Sequence, residues 1–245
     1  MKKTIFIVLC ALLALFFSGC VVVNYTDTNA VSGKGTPEKY VLNVGQYDGI
    51  KVEGLCEIQY YAAPSNTVTL EVQPNLREYF VVEVQNGVLI LRNTKRISYN
   101  SGKAPILTVS TPTLNSLTIT GACSFNANDK IKTDTFTLDI NGGAGEGKAE
   151  LDVNNLKANI SGAGSFELSG RADYADIKFS GAGQLKAFSL QMREASVNFS
   201  GAGAMRISCS EKLSVEASGA GTVEYKGSPI LSVNTRGAVS VKKAN

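Results

Sequence analysis

Five cysteines and 21 acidic side chains are the groups of this 245-residue chain most able to carry covalent or acid–base chemistry, because it contains no histidine. Without histidine the commonest general base and the commonest catalytic metal ligand are both missing. The cysteines form no Cys-x-x-Cys pair, so zinc-knuckle spacing is absent. Cleavage of a polysaccharide by carboxylates needs two acids held about 5 to 9.5 Å apart. In the repeat set out below, the column before each corner glycine offers only Asp139 and Glu216 as acids. Five places after the glycine the chain reads Asn126, Gly147, Glu167, Lys186, Arg206, Glu224 and Lys242, which mixes signs like a solvated ladder. Its Gly-Ala-Gly segments lack the lysine of a phosphate loop, and they lack the aspartate and nine-residue period of a calcium-binding repeat. No catalytic, cofactor-binding or metal-ligating residue is predicted.

Two cysteines belong to the N-terminus. Met1-Lys2-Lys3, an apolar run from Ile5 to Phe17 and then Ser18-Gly19-Cys20 have the order of a secretory signal over residues 1–19. The apolar run, which includes Cys10, is too short for a permanent membrane span. Phe17-Ser18-Gly19-Cys20 resembles a bacterial lipobox, which implies cleavage before Cys20 and attachment of diacylglycerol and an N-acyl chain there. Several acyl chains, at about 0.8 kcal/mol per buried methylene, would hold the protein to a membrane durably. Val21 carries no acidic retention signal, so resemblance to lipoprotein sorting rules implies the outer membrane, with both of its faces open. Cleavage removes Lys2 and Lys3 and no acid, lowering the formal charge of +3 by two. A nearly neutral chain has no electrostatic reason to seek nucleic acid or anionic lipid. Residues 20–39 are rich in turn formers and read as a lipid-anchored tether.

Residues 40–245 read as one all-β domain, since apolar and polar residues alternate and no 3.6-residue stripe is sustained. Asn86-Gly87 between two apolar runs marks a tight hairpin, part of an insertion at about residues 66–110. From about 111 to 245 the chain repeats. Corner glycines stand at Gly121, Gly142, Gly162, Gly181, Gly201, Gly219 and Gly237, with steps of 21, 20, 19, 20, 18 and 18 residues. Gly54 fits the same template as an earlier coil. Two places before the glycine come Ile119, Ile140, Ile160, Phe179, Phe199, Ala217 and Thr235, and four before it Leu117, Leu138, Ala158, Ile177, Val197, Val215 and Val233. These columns point inward and the residues between them face water. A unit of this kind cannot bury its apolar face alone, so coils must stack. The predicted fold is a parallel, right-handed β-helix or β-solenoid with coils of about 20 residues.

In that register Cys56 and Cys123 share a column two places after their glycines, as a disulfide or as a stacked pair of small buried side chains. Cys209 falls elsewhere and reads as a small buried hydrophobe. Tyr40, Tyr47, Tyr60, Tyr61, Tyr79 and Phe80 could line a binding face or pack in a core, and one of Tyr60 and Tyr61 must face solvent.

The run Tyr47-Asp48-Gly49-Ile50-Lys51-Val52-Glu53-Gly54, followed by recurring Ser-Gly-Ala-Gly corners, resembles the family described as putative auto-transporter adhesin, head GIN domain. The resemblance covers about residues 40–245. It implies a β-helical fold in an envelope protein of Bacteroidetes-type bacteria and an adhesion role, and it supplies no catalytic residues. The expected function is a non-enzymatic binding or adhesion module for a protein or glycan ligand, with membrane contact through the lipid and no nucleic acid partner. A self-associating envelope scaffold and a polysaccharide-acting β-helix enzyme are the alternatives.

Overall fold

The computed structural model describes residues 30–98, 103–142 and 145–244. The predicted signal, Cys20 and the start of the tether lie outside them. The chain divides into two units, Met1–Ala30 and Val31–Asn245, and the described fold belongs to the second.

Its first strands are β1 (Val31–Ser32), β2 (Glu38–Leu42), β3 (Gly49–Gly54), β4 (Glu57–Ala62), β5 (Thr67–Val72), β6 (Phe80–Gln85), β7 (Val88–Asn93), β8 (Ile97–Ser98) and β9 (Ile106–Thr111). There follow β10 (Ser116–Gly121), β11 (Ser124–Ala127), β12 (Ile131–Ile140), β13 (Gly145–Ile160), β14 (Gly164–Phe179), β15 (Gln184–Phe199), β16 (Ala204–Lys226) and β17 (Ile230–Lys243). Strand accounts for 72% of the structure and helix for 3%, and the parallel coils of about 20 residues make a β-solenoid of about six turns. Among the described residues the helical element is Pro74–Tyr79, a 3₁₀ turn.

Stacking is in register at the columns that alternation picked out. Leu117, Leu138, Ala158, Ile177, Val197, Val215 and Val233 are successive partners across the parallel strands. All but the last are buried. One step nearer the corner, Phe179 and Phe199 stack with ring centroids 5.3 Å apart and planes within 1°. A β-solenoid places identical positions one strand spacing apart, so similar side chains pile up along the axis. Gly54 pairs with Gly121 across β3 and β10, which seats the early coil directly on the first regular one.

The inserted segment closes the N-terminal end. Asn86 and Gly87 have φ of 51° and 77°, the left-handed geometry of a tight hairpin turn between β6 and β7. Strand β7 runs parallel to β3 and continues its wall, while β9 runs parallel to β4 and continues the other. Strands β6, β5 and β2 then run antiparallel to their neighbours. The parallel stack is thus finished by short antiparallel strands instead of a bare edge.

One predicted column needs correction. Gly147 does not lie in the outward ladder: it is buried, pairs with Phe125 and Phe166, and Lys148 takes the outward place between Asn126 and Glu167. The corner from Gly142 to Gly145 has one residue more than that from Gly162 to Gly164, which shifts the count. A Cβ on Gly147 would collide with the Phe166 ring, so the glycine makes room for an aromatic from the next coil.

Candidate binding site

The corner glycines form a continuous column. A Cβ added to Gly121, Gly142, Gly162, Gly181 or Gly201 would overlap the backbone carbonyl oxygen of the corner glycine one coil earlier. Only Gly54, Gly121, Gly219 and Gly237 of this set have positive φ. For Gly142, Gly162, Gly181 and Gly201 the requirement is therefore clearance between coils, not backbone conformation. A second such column runs through Gly145, Gly164, Gly183, Gly203 and Gly221.

Between these columns lies a shallow corner groove of about 840 Å³, floored by glycine backbone and the methyls of Ala122, Ala163 and Ala182. Cys56 and Cys123 sit at one end of it, in adjacent coils, both buried and unbonded. Cys123 Sγ donates to the Gly54 carbonyl at 3.2 Å. The hydrogen bond with Cys123, followed by burial, holds the Cys56 thiol well above the ordinary thiol range, and the same contact lowers Cys123. Cys209 is buried in another column, and burial raises its thiol too. With thiols this enclosed, a thiol reagent is expected to find none in the folded domain and three after denaturation. A count of one would show Cys56 bonded to Cys123.

Another large concavity is a cleft of about 870 Å³ at the N-terminal cap, formed by four separate loops around residues 44–48, 64–66, 86–87 and 111–115. Tyr47 pins its floor. The hydroxyl lies 2.8 Å from the Ser110 carbonyl and 2.9 Å from that of Thr67, and burial pushes its pKa up. The Tyr47 carbonyl accepts from Asn66 Nδ2 at 2.7 Å and from Thr111 Oγ1 at 2.9 Å. Asn115 Nδ2 donates to Asp48 Oδ2 at 2.8 Å. These bonds join all but the hairpin loop, and that loop is tied in by the Asp48 amide donating to the Gly87 carbonyl at 3.0 Å. Gln46, Ser65 and Asn86 stand exposed on the rim. Asp48 is the one carboxylate among the cleft's lining residues, and Glu146 the one in the corner groove.

Core packing claims most of the aromatics that might have formed a binding face. Tyr47, Tyr60 and Phe80 are buried, Tyr40 and Tyr79 pack partly against the core, and Tyr61 faces solvent. The cap cleft was not singled out by the sequence, although Pro64-Ser65-Asn66, Asn86-Gly87 and Pro112-Thr113 are turn signals that mark its loops.

Charge is spread as ladders between coils. Glu224 bridges Arg206 at 2.9 Å and Lys242 at 3.1 Å, and Arg193–Glu211 and Arg171–Asp152 pair at 3.0 and 2.9 Å. Arg206 and Lys242 hold Glu224 below the usual carboxylate range, Arg171 does so for Asp152 and Arg193 for Glu211. A folded value below the unfolded one stabilises above the unfolded pKa, and that contribution is lost as pH falls through the folded value. With no histidine to titrate, the thermal midpoint is expected to stay flat between about pH 6 and 8 and to fall only below about pH 4. A thermal melt series over pH checks this.

Comparison with known proteins adds the family. The family model described as putative auto-transporter adhesin, head GIN domain, matches residues 46–229. The chain belongs to this family. No curated protein matches the chain. Among solved structures, a putative adhesin from Bacteroides fragilis is 20% identical with a TM-score of 0.81, covering 88% of this chain and 100% of its own. A putative adhesin from Parabacteroides merdae is 22% identical with a TM-score of 0.70, over 89% of this chain and 100% of that one. A structure from Parabacteroides distasonis described as a putative lipid binding protein is 21% identical with a TM-score of 0.69, covering 88% and 100%. At such identities the likeness shows that this GIN domain shares their fold.

Proposed function

We propose that the chain is an outer-membrane lipoprotein, held by acyl chains on Cys20, whose GIN domain is a non-enzymatic binding module for a neutral, hydroxyl-rich glycan. The observation that carries this is the cap cleft. Four loops converge there on a rim of amide and hydroxyl groups, which both donate and accept hydrogen bonds as sugar hydroxyls require. Loops set on a rigid scaffold are where binding residues concentrate. A lone carboxylate cannot supply the acid and base, or acid and nucleophile, of glycoside hydrolysis. The adhesin descriptions of the family and of two neighbours agree with binding without catalysis.

The test is a glycan array probed with residues 30–245. Gln46→Ala with Ser65→Ala removes exposed polar groups from the rim, so glycan retention is expected to drop at least about tenfold, the loss of one or two hydrogen bonds, with an unchanged melting temperature. Undiminished retention would move the ligand off the cap. The anchor has its own check: metabolic labelling with palmitate is expected in the wild-type chain and absent in Cys20→Ser.

A second reading has one specific observation behind it. The corner groove's lining includes four alanines, three glycines and Leu55, which suits an extended apolar segment such as an acyl chain, and one structural neighbour is described as lipid binding. Retention on lipid vesicles by the Gln46→Ala, Ser65→Ala variant, with none on glycans by the wild type, would favour it.

A further inference from the structure

The two ends of the solenoid differ. At the N-terminal end the edge strands β2 and β6 are short, antiparallel to their neighbours, and carry the ion pairs Lys39–Glu71 and Arg92–Glu83. At the C-terminal end β17 pairs with β16 alone, and its outer edge meets no other strand among the described residues. The apolar column is open there: Leu231 and Val233 are each 42% exposed, whereas Val215, one coil further in, is buried. A 14-residue strand with a free edge and an uncovered apolar column is a template for another strand.

We propose that this edge pairs with the same edge of a second copy of the chain, giving a tail-to-tail dimer with two-fold symmetry. The shape of β17 admits it. The strand turns the corner at Gly237, with residues 230–236 on one wall and 238–243 on the other. A two-fold axis through the corner lays each wall of one copy antiparallel on the other wall of its partner. Residues opposed in an antiparallel pair face the same side of the sheet, so core column must meet core column.

A register centred on Gly237 satisfies this. Val233 then opposes the partner's Val241, Thr235 the partner's Val239, and Leu231, at the outer end, the partner's Lys243, whose aliphatic stem can lie along it. On the solvent side Ser232 opposes the partner's Lys242, Asn234 the partner's Ser240, and Arg236 the partner's Ala238. Strand β17 carries Arg236, Lys242 and Lys243 and no acid, yet this register opposes no two basic side chains. A shift of two residues one way would set Arg236 against its own copy. Gly237, whose own Cβ position lies 2.8 Å from the Gly219 carbonyl, faces its symmetry mate and prolongs the glycine column. Because the N-terminal cap presents a different edge, head-to-tail growth has no matching surface and assembly stops at two.

Sedimentation equilibrium on residues 30–245 over a wide concentration range tests the proposal. The wild type is expected to reach twice the monomer mass and no more. Val233→Lys with Val241→Lys opposes lysines twice across the axis and should leave a folded monomer. Val233→Glu with Val241→Lys opposes each glutamate to a lysine and should restore the dimer. Ser232→Lys and Ser232→Glu, on the solvent side and clear of the core, give a second reading: facing Lys242, the first should weaken the dimer and the second tighten it. A wild type that stays monomeric throughout, a mass series growing past the dimer, or no difference between the lysine and glutamate variants of both sets would overturn the proposal.

Discussion

Replacing Gly181 by alanine is expected to destabilise the domain by about 3 kcal/mol, the upper range for forcing extra volume into a packed interior. For a domain of this size that lowers the melting temperature by roughly 6 to 12 °C. The added Cβ would overlap the Gly162 carbonyl oxygen, and its other near neighbours are also Gly162 backbone atoms. A clash with a flexible side-chain tip could relax locally, whereas this one can be relieved only by prising two coils apart. The opposing effect is the smaller freedom of an unfolded alanine, worth about 0.4 to 1 kcal/mol, so the clash wins. Gly45→Ala is the control: nothing lies within 4 Å of its Cβ position, and its stability should be unchanged or slightly raised. Thermal melts of both variants decide it. Equal melting temperatures would mean that the coils do not stack this closely.

Phe199→Ala should cost about 3 to 5 kcal/mol, the range for deleting a buried aromatic. Its ring is fully buried and stacks on Phe179, and it also fills the space beside Gly221, where a Cβ would come within 2.7 Å of it. The hole left behind is walled by coils that hydrogen bonds hold one strand spacing apart, so collapse around it is limited. In a double-mutant cycle with Phe179→Ala, the pair should show about 0.5 to 1.5 kcal/mol of coupling beyond area burial. Denaturant melts of the two single variants and the double variant measure it. Strict additivity would mean that the two rings act as separate hydrophobes.

The regular coils were legible because two periods reinforce each other. Strand alternation marks Leu138 and Ile140 as one face, and the return of the same pattern at Ala158 and Ile160 marks the coil length. The glycines were legible as corners, but the reason for most of them was not. A sequence does not reveal that Gly162 lies against Gly142, so clearance between coils cannot be told from a need for positive φ until the stacking is seen. Register failed at Gly147 because one extra corner residue flips every later side chain to the opposite face until the strand is re-aligned by its neighbours. Of the antiparallel cap only the β6–β7 hairpin was legible, from Asn86-Gly87. Strands β2 and β5 alternate as a parallel strand would, and only their partners set their direction. The cap cleft follows from that pairing, which brings four loops together from positions as far apart as Gln46 and Thr113.

The most direct measurement incubates residues 30–245 with neutral and acidic polysaccharides and follows, in the same sample, the glycan retained by the protein and the reducing ends released. Saturable retention of a neutral glycan is expected, with no new reducing ends or unsaturated sugars over prolonged incubation. Release of cleavage products that persists in independent preparations, or no retention of any glycan, would contradict it.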